Sequence, residues 1–202
     1  QRQMCIRDRA RANGVAVTSE MEVFFDLCPC KIYAVTGSDG KTTTTSVIAE
    51  MLKAAGKTVH LGGNIGRPLL PEIRDVKPED VAVVELSSFM LMQMERSPQV
   101  SVVTNVAPNH LDWHTDMAEY TDAKRNIVRY QRPGDRAVLN ADNTLTAGFA
   151  DGLQSDAFFF SRSREVERGT YLGRDGVLYG RDGERAVPIL PAKEIRLPGS
   201  HM

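Results

Sequence analysis

Gly37, Gly40, Lys41 and Thr42 stand together in the run Val35-Thr-Gly-Ser-Asp-Gly-Lys-Thr-Thr43, and their types and spacing suit one chemistry, the holding of a nucleotide's phosphates. Glycine has no Cβ, so Gly37 and Gly40 let the backbone turn tightly enough for several N–H groups to converge on one anion. A helix opening at Lys41 would turn the positive end of its dipole to the same anion. Lys41 would add a point charge for the terminal phosphates, and the Thr42 hydroxyl an oxygen for a phosphate-bound Mg²⁺. The full P-loop pattern requires a further glycine where Val35 stands, so the match is to a shorter loop, Gly-x-x-Gly-Lys-Thr. Its context fits: a β-rich run over 31–35 precedes it and an amphipathic helix over about 42–55 follows.

Other polar side chains gather at the ends of apolar runs: Thr36-Gly37, Glu85-Leu-Ser-Ser88, Thr104-Asn-Val-Ala-Pro-Asn-His110 and Asn140-Ala-Asp142. In an open parallel sheet, ligands bind outside the carboxyl ends of strands. Glu85, acidic at the end of an apolar strand, is the candidate oxygen ligand for Mg²⁺. His110 is the candidate on the third of these ends. Asp112, His114 and Asp116 imitate a metal cluster in sequence but are expected in a solvated loop, with Trp113 packing there. His60, inside a short strand, is expected to be structural. Cys5, Cys28 and Cys30 make neither a disulfide framework nor a zinc set and are expected to be reduced and incidental.

The elements that must position these groups alternate. Strands are expected over 32–35, 58–61, 80–88, 100–106 and 136–139, separated by helices over about 42–55, 68–75, 89–95 and 117–130. Near-continuous apolar strands between helices predict an α/β fold, a mostly parallel sheet with helices on both faces. Beyond Phe160 the period changes. Short strands over 171–172, 177–179 and 186–189 are separated by Asp175-Gly176 and Asp182-Gly183, both hairpin signals, so a small antiparallel meander is expected.

Residues 1–9 have no periodicity and read as a non-native extension. Residues 10–30 read as a helix tail stopped by Gly14, a short strand over 15–18 and a helix from Ser19 to Leu27, capped by Ser19 with Glu22 three residues on. Such a piece cannot bury its own face and is expected to end a preceding domain and link it to a domain over 31–202. The chain of 202 residues carries a formal charge of −1 with mixed signs, which gives no electrostatic footprint for nucleic acid or membrane. Its apolar runs stop short of a membrane span and no signal peptide opens it. The expectation is a cytosolic monomer whose partners are small molecules.

Six motifs in order, Val35-Thr-Gly-Ser-Asp-Gly-Lys-Thr-Thr43, Gly62-Gly-Asn-Ile-Gly66, Val84-Glu-Leu-Ser-Ser-Phe89, Asn105-Val-Ala-Pro-Asn-His-Leu-Asp112, Tyr120-Thr-Asp-Ala-Lys124 and Asn140-Ala-Asp142, resemble those of the Mur ligase family. The resemblance runs from about Asn13 to Gly199. It implies three domains: one for a UDP group, a central ATPase domain, and one that brings the amino acid. This chain resembles the end of the first and most of the second. It stops before the family's next helix and the third domain, so by itself it is not expected to ligate.

The implied reaction is ATP-driven, ADP-forming amide synthesis in the making of peptidoglycan precursors. A substrate carboxylate attacks the γ-phosphate, and an amine then displaces phosphate from the acyl phosphate. The motifs are most similar to those of members that join D-glutamate to UDP-N-acetylmuramoyl-L-alanine. A sibling ligase adding another amino acid, or glutamates to folate, is the alternative. A non-catalytic nucleotide-binding domain is the alternative of another class, and a P-loop kinase leaves the other strand-end motifs unexplained.

By the same resemblance Gly37, Ser38, Asp39, Gly40, Lys41, Thr42 and Thr43 cradle the ATP phosphates, and Thr42 and Glu85 share one Mg²⁺. His110 helps hold a second Mg²⁺, Asn64 and Ser87 lie towards the muramoyl substrate, and Lys41, Glu85, His110 and Lys124 are the implied catalytic set. Lys124 matches the lysine that this family carbamylates into an anionic ligand for Mg²⁺. That chemistry requires a neutral amine, hence a site that depresses its pKa by desolvation or nearby cations. Met90 departs from the pattern, standing where the family commonly has glutamine, which leaves no amide for a contact there.

Overall fold

The computed structural model describes residues 6, 9–10, 12–108 and 115–196. Nine strands form one sheet in the order β2-β3-β1-β4-β5-β6-β7-β8-β9. They are β1 (Lys31–Thr36), β2 (Val59–Gly63), β3 (Val81–Glu85), β4 (Val100–Val103), β5 (Arg136–Asn140), β6 (Asp156–Ser161), β7 (Arg168–Leu172), β8 (Val177–Asp182) and β9 (Arg185–Pro191). Every pairing from β2 across to β7 is parallel. Only β8 and β9 add antiparallel. The expected meander therefore exists but is no separate sheet, because its first strand continues the parallel ladder beside β6. That junction needs a glycine: a Cβ on Gly169 would stand 1.8 Å from the Phe159 carbonyl oxygen.

The α-helices are α1 (Glu20–Leu27), α2 (Lys41–Ala54), α3 (Ser88–Leu91), α4 (Met117–Arg129) and α5 (Thr144–Ala147). Their placement follows from the direction of each crossover. From β1 to β2 the chain steps one way along the sheet, over α2. From β3 to β4, β4 to β5 and β5 to β6 it steps the other way. Right-handed connections then put α2 on one face and the later helices on the other. Accordingly Phe24 of α1, Tyr120, Ile127 and Val128 of α4, and Phe149 share one core with Ile32, Ala34, Val103, Ala137 and Leu139. On the opposite face α2 covers β1, β3 and β2. Beyond it Tyr33, Val100, Val138 and Phe158 floor an open groove of about 710 Å³, away from the strand carboxyl ends.

Three local expectations change, and one helix is placed. The run 68–75 forms only a 3₁₀ turn, Leu70–Glu72, because Pro71 has no N–H for an α-helical bond. Residues 15–18 form no strand. The helix expected over 89–95 is the single turn α3, after which Met94 N–H bonds Leu91 O at 3.1 Å in the tighter i→i+3 pattern. Finally, α1 buries Met21 and Phe24 in the main core, so this upstream helix finds its apolar partner within the chain. No helix among the described residues is long and apolar enough to cross a membrane.

Candidate functional site

Strand β1 carries the chain through fully buried Ala34 and Val35 to Gly37. The ladder to β4 runs past the formal strand ends, with Thr104 N–H bonding Thr36 O at 3.0 Å and Ser38 N–H bonding Asn105 O at 2.9 Å. Two glycines are required here. Gly37 has φ +153°, and a Cβ would sit 1.8 Å from Thr104 Oγ1. Gly40, at φ 75°, is the left-handed N-cap of α2 and gives that helix no side-chain cap. The helices α1, α3, α4 and α5 are each capped by their own residue, Ser19, Ser87, Asp116 and Asn143, whose side chain accepts a backbone N–H three residues on. The first turn of α2 thus presents its N–H groups to the loop as an anion site. Lys41 Nζ folds back to Ser38 O at 2.9 Å, over the same loop.

Glu85 ends β3 with 1% of its surface exposed. Thr42 Oγ1 donates to its Oε2 at 2.7 Å, and Asn64 Nδ2 donates to its Oε1 at 2.8 Å. The Asn64 N–H also bonds Glu85 O at 2.8 Å. Gly63 permits this approach, since its Cβ would lie 2.3 Å from Glu85 O. A hydroxyl that donates keeps its lone pairs, and a carboxylate oxygen accepting a single bond keeps one free. Thr42 and Glu85 are therefore hard oxygen donors side by side at the phosphate loop, a set that suits Mg²⁺. Among the described residues, no group of three or more His, Cys, Asp or Glu side chains forms a metal cluster.

Lys124 reaches the loop from α4. It is 2% exposed, its Nζ donates to Gly37 O at 2.9 Å, and it lies 4.7 Å from the centre of the Tyr120 ring. Burial pushes the ammonium pKa down to about 7; the neighbouring Lys41 charge pushes the same way, and Asp39 opposes them. An amine that loses its proton near neutrality can act as a nucleophile.

Residues 35–201 match the Mur ligase middle domain. The chain belongs to the Mur ligase family. Among similar curated proteins, the UDP-N-acetylmuramoylalanine--D-glutamate ligase of Acetivibrio thermocellus is 55% identical over 95% of this chain. The protein of the same name from Symbiobacterium thermophilum is 46% identical over 96% of it. The chain spans 41% and 43% of their respective lengths. Two solved structures share the fold at low identity. The UDP-N-acetylmuramate:L-alanyl-gamma-D-glutamyl-meso-diaminopimelate ligase of Neisseria meningitides has TM-score 0.63 and 18% identity, covering 100% of this chain and 67% of that one. A UDP-N-acetylmuramoyl-L-alanyl-D-glutamate--2,6-diaminopimelate ligase has TM-score 0.63 and 21% identity, covering 80% and 39%.

Within this Mur ligase domain the fold brings Lys41, Thr42, Glu85, Asn64 and Lys124 to one end of the sheet. Ser87 sits at the same strand end, where its hydroxyl accepts from Met90 N–H at 3.3 Å. The expectation for His110 lies outside the described residues, as do those for Asp112, Trp113 and His114. Among the described residues Asp116 joins no metal cluster; it caps α4, accepting from Glu119 N–H at 2.8 Å. Asn140 braces the site through a bond from its Nδ2 to Thr104 O at 2.8 Å. Asp142 faces away: burial alone would raise its carboxyl pKa, but bonds from Ser161, Ser163 and the Arg162 N–H hold it below the ordinary value.

His60 is structural, paired with Asp80 Oδ2 at 2.9 Å. Cys28 and Cys30 are free thiols; burial, then the hydrogen bond with Cys28, pushes the Cys30 pKa up to about 12. Thr104, Asn105 and Tyr120 also touch the loop, and the sequence reading gave them no role. The available signal for Tyr120 was its place one helical turn before Lys124 on one face of α4.

Proposed function

We propose that this chain is the nucleotide-binding part of an ATP-dependent, ADP-forming ligase that joins D-glutamate to UDP-N-acetylmuramoyl-L-alanine in peptidoglycan-precursor synthesis. The observation that carries the reading is the meeting of a phosphate loop with a buried lysine whose pKa is pushed down to about 7. An ordinary P-loop transferase would not need that second lysine. The identity of 55% to a curated D-glutamate ligase supports this member of the family over its siblings.

In this reading the first-turn N–H groups of α2 and the Lys41 ammonium bind the β- and γ-phosphates of ATP. Lys41 neutralises charge that builds as a substrate carboxylate oxygen attacks the γ-phosphorus and ADP leaves. The acyl phosphate so formed is attacked at its carbonyl carbon by the amine of D-glutamate. Phosphate then departs with the C–O bond's electron pair, and the amine's proton is lost. Positioning supplies much of the rate in such a sequence. Thr42 and Glu85 would hold Mg²⁺, which would neutralise phosphate charge. Neutral Lys124 would add its lone pair to CO₂ and lose a proton, becoming a carbamate whose oxygens are anionic ligands; His110 would belong to the same second cation site. Asn64 and Ser87 would face the muramoyl substrate.

The test is phosphate release from Mg-ATP by the full-length gene product with UDP-N-acetylmuramoyl-L-alanine, supplying D-glutamate, L-lysine, meso-diaminopimelate or no amino acid. Release that depends on D-glutamate and disappears in Lys41→Ala supports the reading. Dependence on another amino acid moves the protein to a sibling activity, and nucleotide binding with no release for any acceptor makes it a non-catalytic domain.

A further inference from the structure

The loop between Gly37 and Gly40 is too short to shape itself. Val35, where a longer phosphate loop would have its first glycine, is fully buried inside β1. Only Ser38 and Asp39 separate the two turn glycines. Their peptides must be held by something outside the loop, or they would rotate and swing the Asp39 carboxylate towards bound phosphates.

The holder is the residue that follows β4 by two positions. Asn105 Oδ1 accepts from Ser38 N–H at 3.0 Å and from Asp39 N–H at 2.9 Å. Its own carbonyl oxygen takes Ser38 N–H at 2.9 Å. The preceding Thr104 Oγ1 donates to Asp39 O at 2.6 Å, so both polar groups of the Asp39 backbone are tied to this pair. Asn140 Nδ2 anchors the pair in turn at Thr104 O, 2.8 Å. The N–H groups of 38 and 39 are thereby used up, and the free donors are those after the second turn, at the start of α2. An amide oxygen suits this place because it accepts two bonds without bringing a negative charge beside phosphates.

We propose that Asn105 is a positioning residue for nucleotide binding, which fixes the Ser38 and Asp39 peptides so that the α2 N-terminus faces the phosphates. The inference rests on the phosphate-site reading of this loop. It does not depend on which amino acid is ligated.

The test compares the wild-type full-length gene product with Asn105→Ala. The dissociation constant for MgADP, by calorimetry, rises about ten- to hundredfold, the scale expected for two lost hydrogen bonds. KM for ATP rises in step, while kcat at saturating ATP and KM for the other two substrates stay within about threefold. Amide hydrogen exchange at 38 and 39 speeds up in the variant. A merely structural role would lower kcat through loss of folded enzyme and leave KM for ATP unchanged. That result, or an unchanged MgADP constant, overturns the proposal. If the wild type binds MgADP but ligates no D-glutamate, the proposed activity fails while the Asn105 comparison still stands. If the wild type binds no nucleotide, both fail.

Discussion

Two lysines donate to adjacent carbonyls of one loop, and their helices set them in opposite surroundings. Lys41 opens α2 and bonds Ser38 O; Lys124 lies within α4 and bonds Gly37 O. Helix α2 begins at a glycine with no side-chain cap and leaves its dipole and N–H groups for a ligand. Helix α4 begins at Asp116, whose carboxylate takes the Glu119 N–H, so that end satisfies itself. Lys41 is partly open to solvent, as a cation awaiting phosphates must be. Lys124 is walled in by Tyr120 and the loop, and burial pushes its pKa down to about 7. In the proposed reading one lysine meets phosphates from a wetter site and the other offers a readily deprotonated amine from a drier one, and water access makes the difference.

The largest expected effect is on the α2 side. Lys41→Ala in the full-length gene product should lower the rate of ATP-dependent ligation about 10²- to 10³-fold; a loss below about tenfold would end the distinction between the two lysines. Next comes the pH response of Lys124. Its folded pKa, about 7, lies below the ordinary lysine value of 10.5, so across that interval the unfolded chain holds a proton that the folded chain has released. Stability should therefore rise with pH between about 7 and 10, by at most about 1.4 kcal/mol per unit, and this gain is lost as pH falls through 7. Urea unfolding of wild type against Lys124→Met checks it, because the substitution should remove that slope. An identical slope in both proteins would show that Lys124 stays charged.

The α4 cap sharpens the contrast further. Asp116→Ala should cost about 1 kcal/mol in urea unfolding and leave MgADP affinity unchanged. Weaker nucleotide binding in that variant would mean that both helix ends serve the ligand. The smallest effect belongs to the exposed far end of α2. Lys53 pairs with Glu50 at 2.8 Å, both well exposed, and Lys53→Ala should change stability by no more than about 0.5 kcal/mol.

Much of this was legible in the sequence because it is local. Apolar runs of strand length between helical periods gave the parallel sheet, and the hairpin signals gave β8 and β9. Where local signals failed, a specific competitor won. Pro71 removed the donor that the 68–75 helix needed, and residues 15–18 had strand-like side chains but no neighbouring strand to bond. The tight turn from strand into helix was readable from Gly37, Gly40, Lys41 and Thr42, whose geometry needs only one another.

Asn105 is a different case. The sequence marks it as a strand-end polar residue, but its work depends on two N–H groups 66 and 67 positions away. Tyr120 likewise meets Ser38 only across the folded molecule, hydroxyl to hydroxyl at 3.0 Å.

By itself, the sequence determined the alternation of strands and helices through β5, the turn glycines and the presence of a lysine at 124. Periodicity, propensity and missing Cβ atoms act within a few residues, so they can be read along the chain. Only the tertiary structure decided that Thr42 and Asn64 converge on Glu85, that Asn105 holds the loop, and that Lys124 is dry enough to lose its proton. Those outcomes depend on which distant segments exclude water from a point in space, and that is a property of packing.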